Sequence, residues 1–172
     1  RPLILISRDP AVMAEGLKAI DGETPLIYGA DAENWEAMAD LAKTHGAALA
    51  VMADTLDGLA ELTPKLKEAG VNDLVLDPLA RELGSSLALN TQIRRLALKK
   101  NFRPLGYPII AFPGDADDPA YEAMLAAQAI AKYAGFVVLD NFSPEVAYGL
   151  LVLRENIYTD PQKPIQVQPG VY

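Results

Sequence analysis

Short, uninterrupted apolar runs recur along the chain at intervals of roughly 20 to 35 residues, each followed by a longer segment of helical period. The runs are Leu3–Ile6, Leu26–Tyr28, Ala48–Met52, Asp73–Leu76, Tyr107–Phe112 and Phe136–Leu139. They are continuous rather than alternating, as expected of strands covered by helices on both faces of a parallel sheet. The spacing therefore predicts six successive strand–helix units.

The intervening helices are marked by their ends. Asp9-Pro10, Asp118-Pro119 and Ser143-Pro144 each put a capping oxygen before a proline at the first helical position. Val12, Met13, Leu17 and Ile20 define one apolar face, Trp35, Met38, Leu41 and Ala42 a second, and Val146, Leu150 and Leu153 a third. A further helix is expected after Ser85-Ser86, ending near Asn101. Gly46, Gly70 and Gly135 are placed to close helices in the left-handed conformation. Pro64 conflicts with a helix over 56–69, so a kink there, or a restart with Thr63 as cap, is expected.

An α/β fold of the (β/α)8, TIM-like barrel type follows. A complete barrel takes about 250 residues, so six units in 172 residues make an incomplete one. The first two units are expected to be missing, because Arg1 leads straight into a strand. Residues 1–156 are read as the partial barrel and 157–172, rich in proline, as a connector to another domain. An open doubly wound sheet is the rival. It lacks support because no Gly-rich phosphate fingerprint follows any strand.

Composition narrows the function classes. A net charge of −8 disfavours nucleic acid, which needs clustered cations. Arg94, Arg95, Lys99 and Lys100 fall within one helix and read as a solvated face. The chain has no cysteine, which removes disulfides, thiolate metal sites and any iron–sulfur cluster held by these residues. No apolar run nears the roughly 20 residues of a membrane span and Arg1-Pro2 leads directly into a strand, so neither a signal peptide nor a membrane location is expected, and a cytoplasmic one is.

In a parallel barrel, chemistry sits where strands end. Ser7, Tyr28, Asp54, Asp77, Pro113 and Asp140 occupy those places. Asp77, Asp54 and Asp140 are the candidates for ligand or cofactor contact, since carboxylates can share protons or grip an amino-pyrimidine edge. The competing role for each is to cap a helix or form a turn. The single histidine, His45, precedes Gly46 at a helix end, where it complements the helix dipole. The acidic turn Asp115-Ala116-Asp117-Asp118 lacks the spacing of a calcium loop and reads as a helix cap. No catalytic residue and no metal ligand is assigned.

Two resemblances carry further expectations. Leu74-Val75-Leu76-Asp77-Pro78 resembles the strand-end Asp-Pro of pterin-binding barrels such as dihydropteroate synthase and the methyltetrahydrofolate methyltransferases. That makes a pterin-binding barrel methyltransferase the alternative reading. More of the chain is similar to the large (gamma) subunit of corrinoid iron–sulfur proteins of acetyl-CoA decarbonylase/synthase systems. The stretches are Leu3-Ile4-Leu5-Ile6-Ser7 with Asp9-Pro10, Asn90-Thr91-Gln92-Ile93-Arg94-Arg95, Arg103-Pro104-Leu105-Gly106-Tyr107-Pro108 and Ile130-Ala131-Lys132-Tyr133. The most specific is Asn156-Ile157-Tyr158-Thr159-Asp160-Pro161-Gln162-Lys163-Pro164-Ile165.

The family resemblance implies a carrier with a 4Fe-4S domain upstream, a central barrel and a cobalamin-binding domain downstream. Such a carrier takes a methyl group from a methylated pterin onto the corrinoid cobalt and delivers it to acetyl-CoA synthase. Its implied partners are the small subunit of the corrinoid iron–sulfur protein, a pterin-dependent methyltransferase and acetyl-CoA synthase/CO dehydrogenase. Cobalamin and 4Fe-4S are implied for the full protein, with neither ligated by these residues. This segment's implied role is scaffold and subunit interface.

Overall fold

A computed structural model describes residues 2–159. Six strands alternate with six helices: β1 (Ile4–Ile6), α1 (Pro10–Ala19), β2 (Leu26–Ala30), α2 (Trp35–His45), β3 (Ala48–Met52), α3 (Leu56–Glu68), β4 (Leu74–Asp77), α4 (Leu83–Lys99), β5 (Ile109–Ala111), α5 (Pro119–Ala131), β6 (Ala134–Val137) and α6 (Pro144–Thr159). Short 3-10 turns at Arg103–Leu105 and Pro113–Asp115 flank β5. All strand pairs are parallel, and their order in the sheet is their order in the chain. A doubly wound sheet reverses direction at a switch point; this one never does, which is the barrel topology.

The distribution of apolar residues shows the curl directly. Ile27, Leu49, Val51, Leu74, Leu76 and Ile109 join Met13, Leu17, Met38, Leu59 and Leu66 in a core between sheet and helices. The alternate positions Leu26, Tyr28, Ala50, Met52, Val75 and Ile110 form a second core to which no helix contributes. Strand residues of one face can bury each other in this way only if the sheet bends around them. Six strands leave the barrel incomplete. The central strands β2, β3 and β4 are buried along their length, as their continuous apolar composition predicts, whereas β1 and β6 are partly exposed.

Local chemistry accounts for most element ends. Asp9 and Asp118 cap α1 and α5 by accepting from the backbone N–H of Ala11 and Tyr121. Gly46 and Gly70 take the left-handed turn at φ 64° and 97°. Several expectations differ. Helix α3 runs through Pro64 without restarting, and Thr63 does not cap it. A proline there costs about 3 kcal/mol, but Leu59, Leu62 and Leu66 are buried beside it. The Thr63 hydroxyl, itself buried, donates to the Pro104 carbonyl at 2.7 Å. Tertiary burial outweighs local propensity here.

Helix α4 begins at Leu83, before Ser85-Ser86, and its first residues carry no side-chain cap. Strand β6 starts two residues before the expected Phe136. Only Lys132 and Tyr133 connect it to α5, and Tyr133 rather than Gly135 adopts positive φ, at 76°. Gly135 lies within the strand, where an added Cβ would come within 3.1 Å of the Pro108 side chain. The expected connector over 157–172 begins inside α6, which continues to Thr159; the rest of it lies outside the described residues. Among the described residues, no helix is long and apolar enough to cross a membrane.

Candidate functional site

The C-terminal ends of β2, β4 and β5 converge on one carboxylate. Asp77 ends β4 with its side chain on the inner face, and it is fully buried. Its Oδ1 accepts from the Leu79 backbone N–H at 2.8 Å and from Arg81 Nη1 at 2.9 Å. Its Oδ2 accepts from the Tyr28 hydroxyl and Arg81 Nη2, both at 2.8 Å. A carboxylate offers about four acceptor positions, and all are engaged. The buried charge is thus matched by a bidentate guanidinium, the arrangement that best offsets desolvation.

Each partner is itself held. Arg81 donates from Nε to Asp115 Oδ2 at 2.7 Å, tying the loop after β4 to the turn after β5. Its guanidinium lies 5.0 Å from the Phe112 ring centre, and Phe112 in turn packs on Tyr28 with ring centres 4.7 Å apart. Leu79 adopts a left-handed φ of 53°, unusual for a leucine, and packs against the inner core. Burial, and then the adjacent Asp77 charge, push the Tyr28 phenol far above its ordinary range, so it remains a donor. Burial opposes the charge on Arg81, but the hydrogen bond and charge of Asp77 outweigh it and raise its pKa. Tyr28, Leu79, Arg81 and Phe112 thus enclose Asp77 at the C-terminal end of the sheet.

The other two candidate carboxylates do not join this group. Asp54 is exposed and lines a separate cleft of about 460 Å³ with Arg8, Asp31, Glu61 and Lys65. Across that cleft Arg8 and Asp31 pair at 2.6 Å. Burial would raise the Asp31 carboxyl, but its bonds from Arg8 and from the Glu33 and Asn34 N–H groups hold it low. Asp140 is exposed at the loop after β6. What the structure uses there is its backbone N–H, which donates to Glu122 Oε1 at 2.7 Å.

Glu122 carries no weight in the sequence reading, yet it is buried on the first turn of α5. It accepts from the Asp140 and Asn141 backbone N–H groups and, at 2.8 Å, from Asn141 Nδ2. Burial would raise its pKa, but these bonds, that from the Asn141 side chain first, hold it below the ordinary value. The loop it fixes is tightly seated. A Cβ on Gly114 would meet the Asp140 backbone nitrogen at 2.6 Å and the Leu139 carbonyl carbon at 3.0 Å. Backbone cannot yield as a side-chain tip can. Gly114→Ala is therefore expected to lower stability by about 1–3 kcal/mol in denaturant unfolding; an unchanged midpoint would show that the two loops separate freely.

Sequence reasoning found Asp77 and placed Tyr28 at a strand end, but it missed Arg81 and Glu122. It also read the acidic turn containing Asp115 as a helix cap and not as a partner of Arg81. The available signal was Arg81 itself, the first cation after a strand-end carboxylate. Asp115 is more than half exposed in its pair with Arg81, so that one contact adds no more than about 1 kcal/mol. In this arrangement Asp77 has no lone pair left for an amino-pyrimidine edge. The residues present also do not suit an iron–sulfur cluster, since the chain has no thiolate. Its one imidazole, His45, ends α2 at the opposite end of the sheet from the mouth.

Comparison with known proteins agrees with this architecture. Among solved structures, deoxyribose phosphate aldolase from Aeropyrum pernix superposes with a TM-score of 0.53 at 14% identity, covering 90% of this chain and 70% of that one. Muconate lactonizing enzyme from Klebsiella pneumoniae gives 0.52 at 18% identity, covering 90% and 42%. At such identities the likeness concerns the fold alone. In sequence, the corrinoid/iron-sulfur protein large subunit of Moorella thermoacetica is 46% identical over 166 residues, which cover 96% of this chain and 37% of that protein. The acetyl-CoA decarbonylase/synthase complex subunit gamma of Archaeoglobus fulgidus is 34% identical over 183 residues, covering 99% and 39%. The chain thus spans under two fifths of the length of these relatives. The family described as CO dehydrogenase/acetyl-CoA synthase delta subunit matches residues 1–172. With the whole length matched and a parallel barrel sheet beneath it, the chain belongs to that family.

Proposed function

We propose that this chain is the barrel portion of a corrinoid/iron–sulfur methyl carrier and works there as scaffold and subunit interface. The observation that carries the scaffold role is the saturated carboxylate at the mouth. Where a catalytic barrel presents free polar groups, this one presents Asp77 saturated by Tyr28, Leu79 and Arg81, under the Phe112 ring. The relatives' names supply the carrier. In this reading the corrinoid and the 4Fe-4S cluster are held elsewhere in the longer protein. The methyl group comes from a methylated pterin and passes to acetyl-CoA synthase, in the cytoplasm. The small subunit docks on the barrel.

The test uses the full-length protein with its small subunit. Asp54→Asn and Asp140→Asn, both at exposed positions, should leave cobalt and iron content intact and methyl transfer from methylpterin within about twofold of wild type. A drop of about tenfold or more in either variant, with unchanged circular dichroism, would make the strand-end carboxylates part of the chemistry and sink the scaffold reading. Cross-linking of the assembled heterodimer should place small-subunit contacts on residues 2–159. Contacts confined to the rest of the protein would remove the interface role.

A further inference from the structure

At the end of the sheet opposite the mouth, the turns entering β5 and β6 leave a groove of about 750 Å³. Ile93, Leu105 and Ile109, all buried, form its floor. Arg94, Arg103 and Arg154 line it, with no carboxylate among the described lining residues. This is unexpected in a chain with 23 acidic and 15 basic residues. A helix dipole accounts for Lys99, in the last turn of α4. It does not account for Arg94 further back on that helix, for Arg103 on the following 3-10 turn, or for Arg154 on α6. Three elements bring cations to one place.

The rim shows a second departure. Asn101 and Tyr133 both line the groove, and both hold left-handed backbone without being glycine, at φ 52° and 76°. Tyr133 is 42% exposed, with the Arg94 guanidinium 5.7 Å from its ring centre. Both residues follow helix ends, where left-handed backbone closes the last turn; what sets the rim apart is an exposed tyrosine paired with an arginine, residue types enriched at binding hot spots.

We propose that this groove docks an acidic segment of a partner polypeptide, an apolar side chain entering the floor while flanking carboxylates meet Arg94 and Arg103. Charge complementarity selects the occupant: Arg94 and Arg103 put two exposed cations on the rim of a chain whose net charge is −8. The same net charge of −8 repels a polyanion such as nucleic acid, which would have to run beyond the groove across negative surface. The proposal deepens the scaffold reading by giving the barrel a partner site of its own at the end away from the mouth.

The probe is a short fluorescein-labelled polyglutamate peptide with one central phenylalanine, titrated into the full-length protein. It should bind in a salt-sensitive way, and Arg94→Glu and Arg103→Glu should each weaken binding about tenfold. Arg95→Glu, the same charge change on the neighbouring helix position outside the groove, should weaken it less than about twofold. Glutamine in place of glutamate should abolish binding. Equal losses for Arg95→Glu and Arg94→Glu, undiminished binding by the groove variants, or stronger competition from double-stranded DNA would each overturn the proposal. So would binding seen only after residues 160–172 are replaced by a Gly-Ser linker, since the chain's own continuation would then hold the groove. If the peptide fails while small-subunit cross-links still fall on the barrel, the groove assignment falls and the scaffold reading stands.

Discussion

Replacing Asp77 with alanine should cost the fold about 3–5 kcal/mol, the range for breaking a buried ion pair from one side. The loss is large because the survivors are worse off than before folding. Arg81 keeps a partly buried guanidinium with two N–H groups unpaired, and the Tyr28 hydroxyl loses its acceptor in the inner core. Tyr28→Phe removes only one neutral donor and should cost about 1 kcal/mol. Replacing Asp77, Arg81 and Tyr28 together with apolar residues of similar size should recover most of the stability, because no charge is then stranded. Denaturant midpoints at constant slope measure all three. A loss below 1 kcal/mol for Asp77→Ala would show that the network does not hold the mouth closed.

Glu122→Ala carries the next largest effect, roughly 2–3 kcal/mol, since two backbone N–H groups and the Asn141 amide lose a charged acceptor. The effect should depend on pH in a defined direction. Because the folded carboxyl lies below its ordinary value of 4.5, its contribution is complete above about pH 4.5. It disappears as pH falls through the lowered folded value. Wild type and Glu122→Ala should therefore differ most near neutrality and converge in acid. A gap that stays constant from pH 7 to about pH 3 would assign the loss to packing instead of charge.

Both effects concern loops at the same end of the barrel, and both stitch one βα unit to another. Arg81 links the loop after β4 to the turn after β5. Glu122 and Gly114 seat the loop after β6 against α5 and the turn after β5. These contacts tie neighbouring loops together across three βα units, which is consistent with the proposed scaffold reading.

What the sequence by itself determined was the alternation of elements and their burial. Continuous runs such as Leu26–Tyr28 and Ala48–Met52 read as central parallel strands, and Asp9 or Asp118 before proline as helix starts, and both readings hold. Those signals are local and repeat at fixed period, so they survive without a partner in view. The tertiary structure alone decided which polar groups meet. Tyr28 and Asp77 stand 49 residues apart, and Arg81 and Asp115 stand 34 apart; nothing in either neighbourhood encodes the other. It also decided that Tyr133 rather than Gly135 would take the strained turn, and that Pro64 would stay inside α3. At Pro64 the burial of Leu59, Leu62 and Leu66 exceeded a local backbone preference of about 3 kcal/mol. The network around Asp77 is made of such long-range pairings, which is why Asp77 was visible as a candidate while its occupied state was not.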